Sequence, residues 1–357
     1  MQARWRWTWW LGLLIIASMA LPALAGGKPA GGGKPGGDED PPAPPADPAI
    51  AYVQKEGKAW NLKVMNADGT NQTLLVPDAG DRAEPCWSPD GTKLLFESAD
   101  PVLGNGLYVV PVDGSAPPTR LVSTMNRMNG AEWSPVPAPD HRYRIVWTDT
   151  VSYSNRYDVY VINDDGTGLL NLTEDMPGGE QLSHLDPTWS RDGSKIVVVR
   201  GFVPEGSAVI TRELVEYTLG KNTQTGVLEI QDERNLALGA LAGQRLYDPS
   251  FGREADTILV SVYEYVNELD NREIWEIDLA ALSSPTQLTD TDDPISKNKA
   301  IQERHPDYAP DDGRMVYRIF DHKGGSDGGI YVKDTALSAT PVRLVDAAEV
   351  KDPAWRR

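Results

Sequence analysis

Four acids and one histidine stand in the same local setting, each directly before a proline and just ahead of an aromatic. They are Glu84 in Glu-Pro-Cys-Trp, Asp186 in Asp-Pro-Thr-Trp, Asp248 in Asp-Pro-Ser-Phe, His305 in His-Pro-Asp-Tyr and Asp352 in Asp-Pro-Ala-Trp. Gly130 holds the aligned place ahead of Trp133. If this recurring setting brings the side chains to one mouth, four carboxylates and an imidazole face one another. Their repulsion then favours a bound hard cation such as Ca²⁺, or the basic end of a peptide. The plainer reading is that each acid accepts hydrogen bonds from its own turn.

Other residues offer chemistry on paper. Gly324-Gly325-Ser326-Asp327-Gly328 fits the nucleophile pattern Gly-x-Ser-x-Gly, but that pattern needs a strand before it and a helix after it. Here it falls between two strand-like runs and reads as a hairpin loop. The histidines are His141, His184, His305 and His322. Of these, His184 and His305 come where they could face a central funnel, too few for a His-rich metal site. The single cysteine, Cys86, permits no disulfide and no Cys-based zinc site, and reads as a small core residue.

The acids take their meaning from the elements around them. The aromatics Trp87, Trp133, Trp189, Phe251, Tyr308 and Trp355 recur roughly every 50 residues, a period that suits a four-stranded unit. Each unit has one grammar. A short strand ends on the aromatic. A turn such as Ser88-Pro89-Asp90-Gly91 follows, with Pro fixing φ, Asp in the third place and Gly taking the left-handed conformation. Then come an apolar strand, a strand carrying Tyr or Trp among β-branched residues, a polar Asp-Gly-like turn and a fourth strand. The segment 50–76 supplies three strands with no aromatic opening, and Asp352 to Trp355 supplies an opening with no continuation. The expected fold is therefore all-β, a six-bladed β-propeller over 50–357. Its first blade is closed by pairing of the C-terminal strand with the N-terminal strands, so no blade edge is left open.

Residues 1–25 read as a secretory signal: Arg4 and Arg6, an apolar run, then Ala23-Leu24-Ala25. Residues 26–49, rich in Gly and Pro, read as a flexible linker. The expected location is periplasmic or secreted. The chain has 357 residues, 40% of them apolar, and a net charge of −18 from 34 basic and 52 acidic side chains. A large core is available, and a surface this acidic argues against nucleic acid or anionic lipid as a partner.

The opening aromatic-Ser-Pro-Asp-Gly, the Tyr-Val strand, the Asp-Gly turn and the Leu-Thr strand resemble the TolB-type repeat, a WD-repeat-like propeller unit, across roughly 50–357. Blade five departs from it at Gly252-Arg253-Glu254-Ala255, and blade three carries an insertion from Val136 to Arg144. The resemblance implies a propeller of the bacterial cell envelope. The function expected is a non-enzymatic module binding a protein or peptide, monomeric, with no required cofactor beyond a possible Ca²⁺ at Glu84, Asp186, Asp248, His305 and Asp352. The alternative is a metal-dependent lyase of the oligogalacturonate type, with a funnel metal and a base drawn from Arg82, Arg304 or Lys351. A negative funnel would repel a polyuronate, which favours binding.

Overall fold

The computed structural model describes residues 49–356, apart from 99–102, 124–127, 151–155, 175, 177–181, 203–210, 237–238, 267–268, 291–300, 322–327, 337 and 348. The signal and linker segments lie outside these residues except for Ala49, as do His322 and Gly324 to Asp327.

The described chain is almost wholly β, in six antiparallel units of four strands. The first unit is drawn from both chain ends: Val350–Trp355 pairs with Ile50–Glu56, followed by Ala59–Met65 and Thr73–Val76. The second unit is Cys86–Trp87, Lys93–Ser98, Gly106–Pro111 and Thr119–Ser123; the third is Met128–Trp133, Arg144–Thr150, Tyr157–Asn163 and Leu170–Asn171. The fourth is Leu182–Trp189, Lys195–Phe202, Thr211–Lys221 and Leu228–Asn235. The fifth is Arg245–Phe251, Thr257–Val266, Leu269–Asp278 and Thr286–Gln287; the sixth is Ile301–Tyr308, Arg314–Asp321, Gly329–Asp334 and Val342–Asp346. A single parallel bridge, Arg272 to Gln302, joins the fifth and sixth units into one sheet.

The opening turns form as their residues dictate. Asp90 Oδ1 accepts from Ser88 Oγ at 2.6 Å and from the Thr92 N–H at 3.0 Å, and Gly91 has φ 67°. Asp192 and Gly193 repeat the arrangement. In the sixth unit Asp312, not glycine, takes the left-handed place at φ 52°, so a short polar side chain substitutes there.

The core is divided among the joints between units. Six clusters of buried apolar side chains join the first unit to the second, the second to the third, and so on to the sixth; the last joins the sixth back to the first through Tyr52, Val316, Ile330 and Trp355. Each opening aromatic lies in the cluster that its unit shares with the preceding one. Trp87 Nε1 donates to the Ala354 carbonyl at 3.1 Å, and Trp189 Nε1 donates to the Glu132 carbonyl at 3.2 Å. The indole thus fills the joint while its one polar atom is satisfied by the neighbouring innermost strand.

Candidate functional site

The residue before each opening proline adopts the left-handed conformation: φ is 38° at Glu84, 50° at Asp186, 48° at Asp248, 50° at His305 and 50° at Asp352, and 67° at Gly130. For a non-glycine residue this costs about 1–2 kcal/mol. The cause is a β-bulge. In five of the units the pairing of the innermost strand slips by one residue at this point, between Leu185 and Thr188 for example. The bulge re-aims one side chain per unit, and all six residues line a single cavity of about 150 Å³. The five residues singled out in the sequence are thereby brought together, with one member drawn from each unit but the third.

Their carboxylates do not turn back to their own loops. Glu84 Oε2 accepts from the Gly130 N–H at 2.7 Å, Asp186 Oδ2 from the Asp248 N–H at 3.4 Å, and Asp248 Oδ2 from the His305 N–H at 3.3 Å. Glu84, Asp186 and Asp248 therefore each reach the equivalent residue of the next unit, while Asp352 faces His305 of the unit before it. The glycine at 130 follows from this crowding. A Cβ there would stand 2.8 Å from Pro187 Cδ and 3.0 Å from Asp186 Cα.

The electrostatics differ around the cavity. Burial, and then the charge of Asp352, holds Glu84 well above the usual carboxylate range, against the pull of the Gly130 N–H. Burial and Asp248 push Asp186 up to about 6. Burial also acts on Asp248, but His305, Arg272 and Arg304 outweigh it and hold that carboxyl low. His305 lies between two acids, its Nε2 3.4 Å from Asp352 Oδ1 and its Nδ1 3.8 Å from Asp248 Oδ1. Behind Glu84 sits buried Glu97, raised by burial and then by Glu84 and Asp149. Among the described residues no three of His, Cys, Asp and Glu are grouped closely enough to hold a metal ion.

Two sequence expectations are corrected here. His184 does not face the cavity: it is fully buried, its Nε2 2.9 Å from the Tyr217 hydroxyl. The bulge after Leu185 re-aims Asp186 into the cavity but leaves His184 in regular pairing opposite Arg200. Nor is the surrounding charge of one sign. Arg272 Nη1 approaches Asp248 Oδ2 at 3.6 Å, and Arg304 and Arg318 act on the same carboxyls. Of the bases considered, Lys351 is turned away, its Nζ 4.4 Å from the Trp60 ring centre and donating to the Asp81 carbonyl.

Sequence reasoning passed over the residue just before each aromatic. Glu132 Oε2 accepts from the Trp189 N–H, Thr188 Oγ1 from the Phe251 N–H, and Asp307 Oδ2 from the Trp355 N–H. Asp307 is also held by Arg253 Nη2, at 2.9 and 3.0 Å, and the same nitrogen donates to the Trp355 carbonyl. Arg253 belongs to the turn where the fifth unit departs from the repeat, and it ties that unit to the sixth through Asp307 and to the first through Trp355.

No family model matches the chain. A segment of 143 residues, 39% of this chain and 29% of the relative, is 29% identical to the Tol-Pal system protein TolB of Anaeromyxobacter dehalogenans. A segment of 57 residues, 15% of this chain and 13% of the relative, is 44% identical to the protein of that name in Methylobacillus flagellatus. The matched segments thus span less than a third of either relative. Among solved structures, TolB from Acinetobacter baumannii superposes with a TM-score of 0.60 at 16% identity, covering 88% of this chain and 68% of that one. Kuenenia stuttgartiensis hydrazine synthase gives the same TM-score at 12% identity, covering 88% of this chain and 47% of that one. One fold thus serves a Tol-Pal protein and an enzyme, so it does not select between binding and catalysis. By its sequence repeat, its shared segments and its fold, the chain is thus similar to the TolB-type β-propeller proteins.

Proposed function

We propose that the chain is an exported protein of the bacterial cell envelope whose six units close into a ring of six blades, and whose cavity binds a positively charged group of a protein or peptide partner. The cluster joining the sixth unit to the first, and the lining of one cavity by residues of all six units, support the ring. The TolB relatives, named for the Tol-Pal system, support the envelope setting.

One observation carries the binding reading: four carboxylates line one cavity, two of them with protonation favoured by burial and by one another. A cationic group entering there would relieve that repulsion. The cavity is smaller than the usual small-molecule pocket of about 300–1,000 Å³, so a single side chain or chain end is the scale of its occupant. The carboxylates' bonds to neighbouring N–H groups, and the absence of a grouped ligand set among the described residues, favour a peptide ammonium or guanidinium over Ca²⁺.

The test is capture from envelope extracts with the full chain and with a Glu84→Gln/Asp352→Asn variant, read by mass spectrometry. A partner held by the wild type and lost by the folded variant is expected. Equal retention by both would remove the cavity from the binding surface. A rise in melting temperature with CaCl₂ in the wild type alone would assign the cavity to the cation.

A further inference from the structure

The seam between the fifth and sixth units gathers arginines that the fold does not require. Arg304 and Arg318 are direct cross-strand partners. The bridge between the units sets Arg272 beside Gln302, whose Oε1 accepts a hydrogen bond from Arg304 Nη2. Two rings hold the guanidinium groups in place. The Phe320 ring centre is 4.7 Å from Arg318 and 5.5 Å from Arg304, and that of Tyr247 is 3.8 Å from Arg272 and 4.2 Å from Arg212.

The other five units build the same cross-strand pair from Lys351 and Val53, Ala83 and Glu97, Asn129 and Thr148, Leu185 and Val199, and Tyr247 and Ser261. Three of these pairs carry no charge at all, so packing does not explain two facing arginines. Arg318 is only 6% exposed, and the Nε atoms of Arg272, Arg304 and Arg318 are buried without a hydrogen-bond partner. Arg272 has Asp248 at 3.6 Å; among the described residues no carboxylate lies within ion-pair distance of Arg304 or Arg318. Burial first, and the like charge of Arg272 after it, push Arg304 down to about 10. Leaving buried cations short of counter-charge is costly, and guanidinium forks match the paired oxygens of carboxylate and phosphate groups.

We propose that Arg272, Arg304 and Arg318, steadied by Tyr247 and Phe320, form a binding site for an oxyanion, a carboxylate or a phosphate group, at the seam between the fifth and sixth units. The site adjoins the acidic cavity through Asp248 but does not require that the cavity hold a cation.

Isothermal titration of the full chain with glutarate and, separately, with inorganic phosphate at constant ionic strength tests it. Saturable binding of at least one anion is expected, weakened about tenfold or more by Arg318→Met and by Arg304→Gln, since each removes charged hydrogen bonds. The exposed-surface variant Arg142→Gln should bind as the wild type does. Glutarate alone would identify a carboxylate site, phosphate alone a phosphate site. No saturable binding of either anion, or full-strength binding by the variants, overturns the proposal. Should Arg318→Met fail to fold, Arg304→Gln, at a half-buried side chain, carries the test. Asp186→Asn, in the acidic cavity, should not weaken the anion, so the two sites can fail separately.

Discussion

A single carboxyl, Asp186, shows what the cavity imposes on its lining. Burial and Asp248 raise it to about 6 in the folded chain, against about 3.9 for a free aspartate. Between those values the folded state holds a proton that the unfolded state has released, so stability falls as pH rises through this window and the penalty is complete above it. Asp186→Asn should therefore raise the melting temperature at pH 8, by an amount equivalent to about 3 kcal/mol, and make little difference at pH 4. Thermal unfolding of both proteins across that range checks the sign; a variant equally stabilised at pH 4 would mean the acid is not strained by charge. The acids were legible in the sequence because each precedes a proline in a repeated phrase. Of the seam's arginines only Arg304 was singled out, and then as a base and not as half of a pair. Arg318 reads as an ordinary strand residue in Met-Val-Tyr-Arg-Ile-Phe, and its partner Arg304 is fixed only by the strand register.

The working element is the innermost strand with its bulge, its aromatic and its turn. The aromatic contributes area to the joint, and the indole N–H of Trp87 adds a bond to Ala354 across it. Trp87→Phe should cost about 1 kcal/mol for the lost bond, and Trp87→Ala about 3–5 kcal/mol for the emptied joint, both measured by urea unfolding. Similar losses for the two would mean that the bond, not the ring, holds the joint. The turn chemistry was readable because proline, aspartate and glycine leave few backbone choices. The bulge was not, since nothing in Asp-Pro marks a slip in pairing, and so His184 was expected on the wrong side. The position before each aromatic was missed for a related reason: Glu132, Thr188 and Asp307 share no residue type, only a place from which to accept the next unit's N–H.

At the scale of the molecule, the last strand belongs to the first unit. Ile50 lies opposite Trp355 and Ala51 opposite Ala354, while Asp307 of the sixth unit and Arg253 of the fifth grip Trp355. Removing residues 352–357 takes away Trp355 and its share of the joint with the sixth unit. The truncated chain should melt at least 10 °C lower or fail to fold, on the scale of about 2–4 °C per kcal/mol for a domain of 150–250 residues; an unchanged melting temperature would show that the pairing of the two ends is dispensable. The same feature sets the timing of folding. The hydrogen bond from Trp87 to Ala354 spans 267 residues of sequence, so the joint flanking the first unit is among the last that a growing chain can complete. Until Trp355 is in place, Ile50 and Tyr52 lack one wall of the joint they share with the sixth unit. The two strands farthest apart in the described sequence are thus neighbours in the fold, and each is needed to fill the joint of the other.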